Sequence, residues 1–308
     1  MSVPGSKAMR PDLAADMRSD GAGSGIANGR DAAELRRLLV QRIEGDDLDL
    51  PVLPDVASRV LGACQDPEGG PQGLSELIER DPALAGNVMR IANSAAYAAA
   101  EPIVSLQQAI ARLGMSTMGD IAIAAAINSK VFVVPGRDRE MQGLRLHAAT
   151  TGIWAREIAR QRRRNVEAAF LSGLMHDVGK PILLQAVLEL AAGKPVDEAT
   201  VQGWIDEFHA PVGARLLERW KLPPWVAAAV RGHHDPERAG EHRDLAATAL
   251  LGDILAHWSV DADETSAGAR ETQMRGHPVL VALCIYPDDL ELLMERKAAV
   301  QDSAQSFA

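Results

Sequence analysis

Aromatic residues are scarce in this chain, at 4% of its 308 positions, and no segment shows the period-two alternation typical of a strand. Alanine and leucine recur throughout, and these residues favour close helix packing, whereas strands prefer β-branched and aromatic side chains. No repeat of fixed period and no glycine-rich phosphate loop is present. The sequence therefore predicts an all-α, multi-helix protein.

Cysteine is equally scarce, since Cys64 and Cys284 are the only two in the chain. Each is flanked by apolar or small residues, and they lack the spacing of a metal-binding pair. No disulfide framework follows from them, and reduced thiols are typical of a cytosolic protein.

Long apolar runs are absent as well. The alanine-rich stretch at residues 121 to 127 is far shorter than the roughly 20 apolar residues of a bilayer-spanning helix, and the N-terminus lacks the apolar segment of a secretory signal. The net charge is −10, from 32 basic and 42 acidic residues, which disfavours general binding to nucleic acid or anionic lipid. We expect a cytoplasmic protein that binds neither nucleic acid nor membranes.

Residues 1 to 30 are rich in Gly, Ala, Ser and Asp and contain no aromatic residue, so they have little to bury. We predict a flexible segment that contributes little to stability. Its deletion is expected to leave the melting temperature nearly unchanged, and a large drop in thermal stability would show that the segment packs on the core.

Capping residues predict where several helices begin: Asp55, Asp81 followed by Pro82, Ser105 with Gln108, and Asn165. Gly114 is a stop signal, and Gly179 and Pro181 are expected to break the helix that follows Asn165. The basic run at residues 162 to 164 ends a helical pattern that starts at about residue 139. For this run a solvated cap is favoured over a phosphate site.

Histidine and aspartate residues form one ordered series in the helical region: His147, His176, Asp177, His209, His233, His234 and Asp253. His147 and Asp253 lie on apolar faces of their predicted helices, and the adjacent His176 and Asp177 end an apolar helix. Burying such groups is costly unless they are satisfied. The remaining histidines, His242, His257 and His277, fall outside the series.

A divalent metal ion is the group that such a set accommodates best, because it compensates carboxylate charge and takes neutral imidazole nitrogen as a ligand. Each histidine alone is explained as well by an ordinary core or surface imidazole, and one of His233 and His234 could cap the helix that starts near Pro224. The whole set predicts one or two divalent ions. Fe, Mn, Zn and Co suit these ligands better than Mg.

Six ordered segments carry a family pattern: Leu50-Pro-Val-Leu-Pro54, Ile78-Glu-Arg-Asp81-Pro82-Ala-Leu, Arg90-Ile-Ala-Asn93-Ser94-Ala-Ala-Tyr97, Ala109-Ile-Ala-Arg-Leu-Gly114, residues 171 to 180 and residues 220 to 234. Together they resemble the HDOD domain, the bacterial HD-related output domain. The resemblance implies an all-helical fold and a regulatory or output role in bacterial signal transduction.

The resemblance also divides the chain. It implies an HDOD domain over residues 31 to 260, with an N-terminal helical half at 31 to 135 and an HD-like half at 136 to 260. Composition predicts a polar link after Val260 and a final helix from about Asp288 to Ala304, within residues 261 to 308.

The HD phosphohydrolase superfamily pattern implies roles for individual residues. By resemblance, His147, His176, Asp177 and Asp253 would hold one metal ion, and His209, His233 and His234 a second. Asp177 and Lys180 would be the catalytic residues. Lys180 matches a lysine that the cyclic-dinucleotide phosphodiesterase branch places near the substrate phosphate, although a cation at a helix C-terminus explains it equally well.

One departure bears on activity. The phosphodiesterase branch follows its histidine pair with Gly-Tyr-Pro, whereas here residues 235 to 240 follow His234 and contain no tyrosine. This difference disfavours hydrolysis of cyclic-di-GMP and leaves other phosphate chemistry open.

Two functions of different class follow. The first is a signalling module that binds a partner protein through its N-terminal half and retains the metal site for structure or regulation. The second is a metal-dependent phosphohydrolase that acts on a nucleotide, a cyclic dinucleotide or another phosphorylated small molecule. Turnover by a fully metallated sample discriminates between them.

Overall fold

The computed structural model describes residues 29–53, 55–66, 70–94, 97, 102–260 and 264–306, and all regular structure in these ranges is helical. This confirms the all-α prediction. No helix in the described ranges combines the length and the apolar character needed to cross a bilayer.

The helices are numbered in chain order. The N-terminal group is α1 (Gly29–Glu44), α2 (Asp55–Gln65), α3 (Pro71–Glu79), α4 (Pro82–Ala92), α5 (Leu106–Leu113) and α6 (Met115–Lys130). The central group is α7 (Asp138–Gln161), α8 (Val166–Met175), α9 (Gly179–Ala191), α10 (Glu198–Arg219), α11 (Pro224–Gly232), a 3-10 helix (Pro236–His242) and α12 (Arg243–Val260). The last group is α13 (Glu264–Arg275), α14 (Pro278–Ala282), α15 (Pro287–Met294) and α16 (Lys297–Gln305).

The predicted N-caps at Ser105 and Asn165 are present, whereas Asp55, also predicted to be an N-cap, is the first residue within α2. Ser105 Oγ accepts from the Gln108 N–H at 3.1 Å, and Asn165 Oδ1 accepts from the Ala168 N–H at 2.9 Å. Gly114 ends α5 with φ +84°, a conformation that glycine adopts without a steric penalty. These bonds need only neighbours in sequence, so the sequence predicts them directly.

The C-terminal prediction is partly wrong. The expected polar link contains helix α13 from Glu264, and the expected single final helix is two helices, α15 and α16, separated at Glu295 and Arg296. The break allows α16 to pack back on α7, where Arg296 Nη2 lies 3.4 Å from Glu157 Oε2. The polar composition that suggested a link is compatible with a solvated helix.

Helix α1 begins two residues before Asp31, where the sequence predicts the first helical pattern. The predicted flexible segment lies outside the described residues except for Gly29 and Arg30, which begin α1. Helix α1 packs against α9 and α10 of the predicted HD-like half, and Arg42 Nη1 bonds Glu189 Oε2 at 3.1 Å.

The basic run at the end of α7 is not fully solvent-exposed, because Arg162 is largely buried and contacts two other helices. Its side chain is 12% exposed, and Nη2 lies 2.7 Å from Asp244 Oδ1 on α12. Its Nε donates to the Leu283 carbonyl oxygen at 2.8 Å. Arg162 thus joins α7 to α12 and to the end of α14.

Close glycine contacts set the positions of α7, α8 and α12. A Cβ added to Gly173 on α8 would lie 2.8 Å from the Thr151 carbonyl oxygen of α7, and one on Gly252 of α12 would lie 2.9 Å from the same oxygen. Only glycine permits backbones to approach so closely. Three helices therefore meet at Thr151, one turn from His147 and beside Asp253.

Candidate metal centre

All seven predicted ligands converge although they come from separate elements. His147 lies on α7, His176 and Asp177 lie in the turn between α8 and α9, His209 lies on α10, His233 and His234 follow α11, and Asp253 lies on α12. The nitrogen and oxygen atoms of six of them form two groups of three, each with ligand atoms within 4.8 Å of one another.

The first group is His147, His176 and Asp253. His147 Nε2 lies 3.2 Å from His176 Nε2 and 3.0 Å from Asp253 Oδ1. The second group is made of imidazoles only, at His209, His233 and His234. His209 Nε2 lies 3.2 Å from His233 Nε2 and 3.0 Å from His234 Nε2.

Asp177 lies between the two groups. Its Oδ2 is 3.2 Å from His176 Nε2 in the first group, and its Oδ1 is 3.3 Å from His209 Nε2 in the second. Each carboxylate oxygen therefore faces a different group, which is the arrangement of a ligand that bridges two ions.

Backbone carbonyl groups orient three of the imidazoles. Nδ1 lies 2.7 Å from the Gly173 carbonyl oxygen in His176, 2.8 Å from that of Ile205 in His209, and 2.6 Å from that of Val230 in His233. A carbonyl oxygen only accepts, so each Nδ1 carries a proton and each Nε2 is the nitrogen that faces the other predicted ligands. His233 is also the C-cap residue of α11, and this position still leaves its Nε2 facing His209.

Neutral His209 and His233, each with its proton on Nδ1, direct the lone pairs of their Nε2 atoms at each other. Two ligands on one ion with bonds of 2.0–2.1 Å and tetrahedral or octahedral angles lie about 2.8–3.4 Å apart. The distance of 3.2 Å between His209 Nε2 and His233 Nε2 falls in that range. A divalent cation turns this repulsive contact into a pair of ligand bonds.

The carboxylate of Asp177 gives a second test of fit. Both oxygens are buried, and neither accepts a well-aligned hydrogen bond within the described ranges. Oδ2 forms a close ion pair with Lys180 Nζ at 2.5 Å. Buried carboxylate oxygens left in this condition are costly, and metal ligation satisfies them. The donor set of imidazoles and carboxylates fits a divalent transition metal ion.

The pKa shifts of three of the imidazoles agree with a ligand role, and that of His176 runs in the opposite direction. Burial lowers the pKa of His209 to about 3 and that of His147 to about 4, and it lowers the pKa of His233 well below its ordinary value. All three are neutral at pH 7, as metal ligation requires. For His176, burial opposes protonation, but the charge of Asp177 outweighs it and raises the pKa to about 10.

The carboxylates stay ionised despite their burial. Burial alone raises the pKa of Asp177, but the charges of His176 and Lys180 hold it well below its ordinary value. Burial also raises the pKa of Asp253, but the charge of His257 opposes this shift more than any other group does. The pKa of Asp253 therefore lies well below its ordinary value.

Lys180 is not at a helix C-terminus, so that interpretation is wrong. It lies in the first turn of α9, with a 9% exposed side chain held against Asp177. Pro181 likewise belongs to the first turn of α9 rather than ending a helix, a position where its missing N–H costs nothing.

Gly179 allows the first turn of α9 to pack closely against α10. A Cβ on Gly179 would overlap the backbone carbonyl oxygen of His209 and lie 2.8 Å from the Gly213 nitrogen. The absence of a side chain allows the start of α9 to touch α10 backbone to backbone. Asp177 and His209 consequently reach each other.

His257 is a residue of the centre that the sequence pattern missed. Its Nδ1 lies 2.9 Å from Asp253 Oδ1, and its ring centroid lies 4.5 Å from that of His147. The signal that could have found it is its position four residues after Asp253, on the same face of α12.

The family model described as HDOD domain matches residues 50–236. This chain belongs to the HDOD family.

Solved structures share the fold. A Shewanella amazonensis SB2B protein named as a metal-dependent phosphohydrolase superposes with a TM-score of 0.69 at 20% identity, over 89% of this chain and 99% of that one. A Geobacter sulfurreducens HDOD domain protein of unknown function has a TM-score of 0.66 at 20% identity, over 91% and 99%. A Marinobacter aquaeolei VT8 protein named as a signal transduction protein has a TM-score of 0.58 at 25% identity, over 91% and 66%.

A curated relative from Treponema pallidum (strain Nichols), itself uncharacterised, is 24% identical over 217 residues. The match takes in 67% of this chain but spans only 42% of the relative.

Proposed function

We propose that this HDOD protein is a bacterial signal-transduction module that holds a pair of divalent metal ions. The observation that carries the proposal is the position of Asp177, whose two buried carboxylate oxygens each face one group of imidazoles. The first ion would take His147, His176, Asp253 and Asp177 Oδ2, and the second would take His209, His233, His234 and Asp177 Oδ1.

The net charge of the cluster determines which molecules the centre would attract once metal ions are bound. The ligands include two carboxylates, and in the metal-free cluster Lys180 and protonated His176 each contribute one positive charge, so the cluster is close to neutral. Two divalent ions leave a strongly positive centre, because most of its ligands are neutral imidazoles. His234 is the exposed ligand, so an anionic molecule would approach from its side.

The signalling part of the proposal rests on the family and on where the proposed metal ligands lie along the chain. The ligands all lie in the segment from α7 to α12, which leaves the helices α2–α6 without any of them. We assign those helices to a partner protein, in keeping with the Marinobacter structure named as a signal transduction protein.

Elemental analysis of the natively purified full chain tests the metal proposal. We expect about two divalent transition metal ions per chain, and we expect a chelator to lower the melting temperature because the ions bind only the folded state. At a thousandfold excess of metal over Kd the stabilisation is about 4 kcal/mol, which corresponds to a shift of about 8 °C or more. A chain purified without metal that also ignores added Zn²⁺, Mn²⁺ and Co²⁺ would contradict the proposal.

Phosphoester hydrolysis is a second candidate, favoured by the two preorganised groups and by the cation beside them. When bound, divalent ions supply Lewis acidity and activate water. The imidazoles would hold the ions through Nε2 atoms that backbone carbonyls orient, and Asp177 would contribute one carboxylate oxygen to each group. Lys180, fixed on Asp177, adds positive charge that stabilises negative charge developing on phosphoryl oxygens.

A further inference from the structure

His257 has the contacts of a residue that orients a metal ligand. It lies on α12 one turn after Asp253, and its Nδ1 is 3.0 Å from the Asp253 carbonyl oxygen and 2.9 Å from the Asp253 carboxylate Oδ1. Both neighbours are oxygens that only accept, so Nδ1 carries the proton. The aligned hydrogen bond goes to the Asp253 carbonyl oxygen, and the contact with the carboxylate Oδ1 is a close ion pair from the same side of the helix.

The other contacts of the Asp253 carboxylate come from the centre itself. Its Oδ1 lies 3.0 Å from His147 Nε2 and 3.7 Å from His176 Nε2, and both of these are proposed ligands of the first ion. His257 therefore supplies the contact that holds the carboxylate from outside the ligand set. Its ring also packs edge-on against His147, so it touches two of the ligands.

Asp177 has a matching arrangement. Lys180, three residues later, pairs with Asp177 Oδ2 at 2.5 Å, just as His257, four residues later, pairs with Asp253 Oδ1. Each carboxylate of the centre thus has a nitrogen donor one helical turn further along the chain. Groups that hold ligating carboxylates in place affect metal affinity nearly as strongly as the ligands.

We propose that His257 is a positioning residue for the first metal ion, which orients Asp253 through its Nδ1 donor without binding the ion. This inference rests on the proposed metal centre. The inference goes beyond the proposed function, because His257 lies outside the HD-type ligand pattern. It also implies that both carboxylates of the site are held in the same way, by a nitrogen donor one turn later in the chain.

Titration of the metal-free full chain with Co²⁺ tests the inference, with binding followed by calorimetry and by the visible absorption of the bound ion. The wild type should show two binding steps. His257→Ala should weaken one step by about 10- to 100-fold and leave the other unchanged, because the second group has its own backbone supports. His257→Asn should restore most of the affinity, since an asparagine amide can place a donor near the position of Nδ1.

Two controls make the result decisive. His242→Ala removes a histidine of the 3-10 helix outside the two groups and should bind Co²⁺ as the wild type does. Melting curves of the metal-free variants show that each one folds, and the comparison of Ala with Asn separates the donor from mere packing.

The outcomes separate the two levels of inference. Wild type that binds no Co²⁺ overturns the proposed function and the role of His257 with it. Wild type that binds two ions, with His257→Ala binding both equally well, overturns the positioning role alone. A folded His257→Asn that binds as weakly as His257→Ala also overturns it, because the donor would then not matter.

Discussion

Asp177→Ala is expected to abolish the stabilisation of this protein by metal ions. The substitution removes the carboxylate that faces both groups of imidazoles, so neither ion keeps its full ligand set. Thermal unfolding with and without Zn²⁺ or Mn²⁺ measures the effect. The wild type should gain about 8 °C or more from saturating metal, and the variant should melt lower and gain almost nothing.

Part of the loss in Asp177→Ala has a different origin. Lys180 remains buried without the carboxylate that it pairs with, and breaking a buried ion pair costs about 3–5 kcal/mol. The double variant Asp177→Ala with Lys180→Met removes this stranded charge. We expect it to recover stability in the absence of metal but to stay insensitive to added metal, which isolates the contribution of the ions.

The same variant discriminates between the two candidate functions. We expect the metallated wild type to have no strong activity on phosphoesters or cyclic dinucleotides, because the Gly-Tyr-Pro signature is missing after His234. Asp177→Ala would then change stability and metal content alone. Robust hydrolysis by the wild type that disappears in Asp177→Ala, when both are folded, would instead establish the phosphohydrolase.

Gly179→Ala is expected to be among the most destabilising single substitutions in the chain. The added methyl group would overlap the backbone of α10 at His209, and a backbone cannot move aside as a flexible side chain can. We expect a loss of about 3 kcal/mol or more in the free energy of unfolding, seen as a drop of about 6 °C or more in melting temperature. Metal affinity should fall too, because Asp177 and His209 would be pushed apart.

Gly203→Ala is the matched control on α10. A Cβ at Gly203 meets no atom within 4 Å, so alanine should stabilise the helix by up to about 1 kcal/mol. A Gly179→Ala variant as stable as Gly203→Ala would show that α9 and α10 do not depend on this close contact.

The parts of the fold that the sequence predicted correctly are those that depend on residues close together in the chain. The caps at Ser105 and Asn165 bond atoms three residues away, so they form whatever the rest of the chain does. The C-terminal helices were harder to predict, because the break at Arg296 serves a contact with Glu157 that is distant in sequence. Polarity alone does not distinguish a link from a solvated helix such as α13.

For the candidate site, the sequence by itself identified seven residues that the structure brings together, because buried imidazoles and carboxylates in apolar helices need a partner. Only the tertiary structure decided how they combine. It placed Asp177 between two groups, set Lys180 on that carboxylate and added His257 to the centre. These contacts depend on the distances between helices, which close backbone contacts at Gly173, Gly179 and Gly252 set. Such contacts join segments that are far apart in sequence, so no periodic pattern in the sequence predicts them.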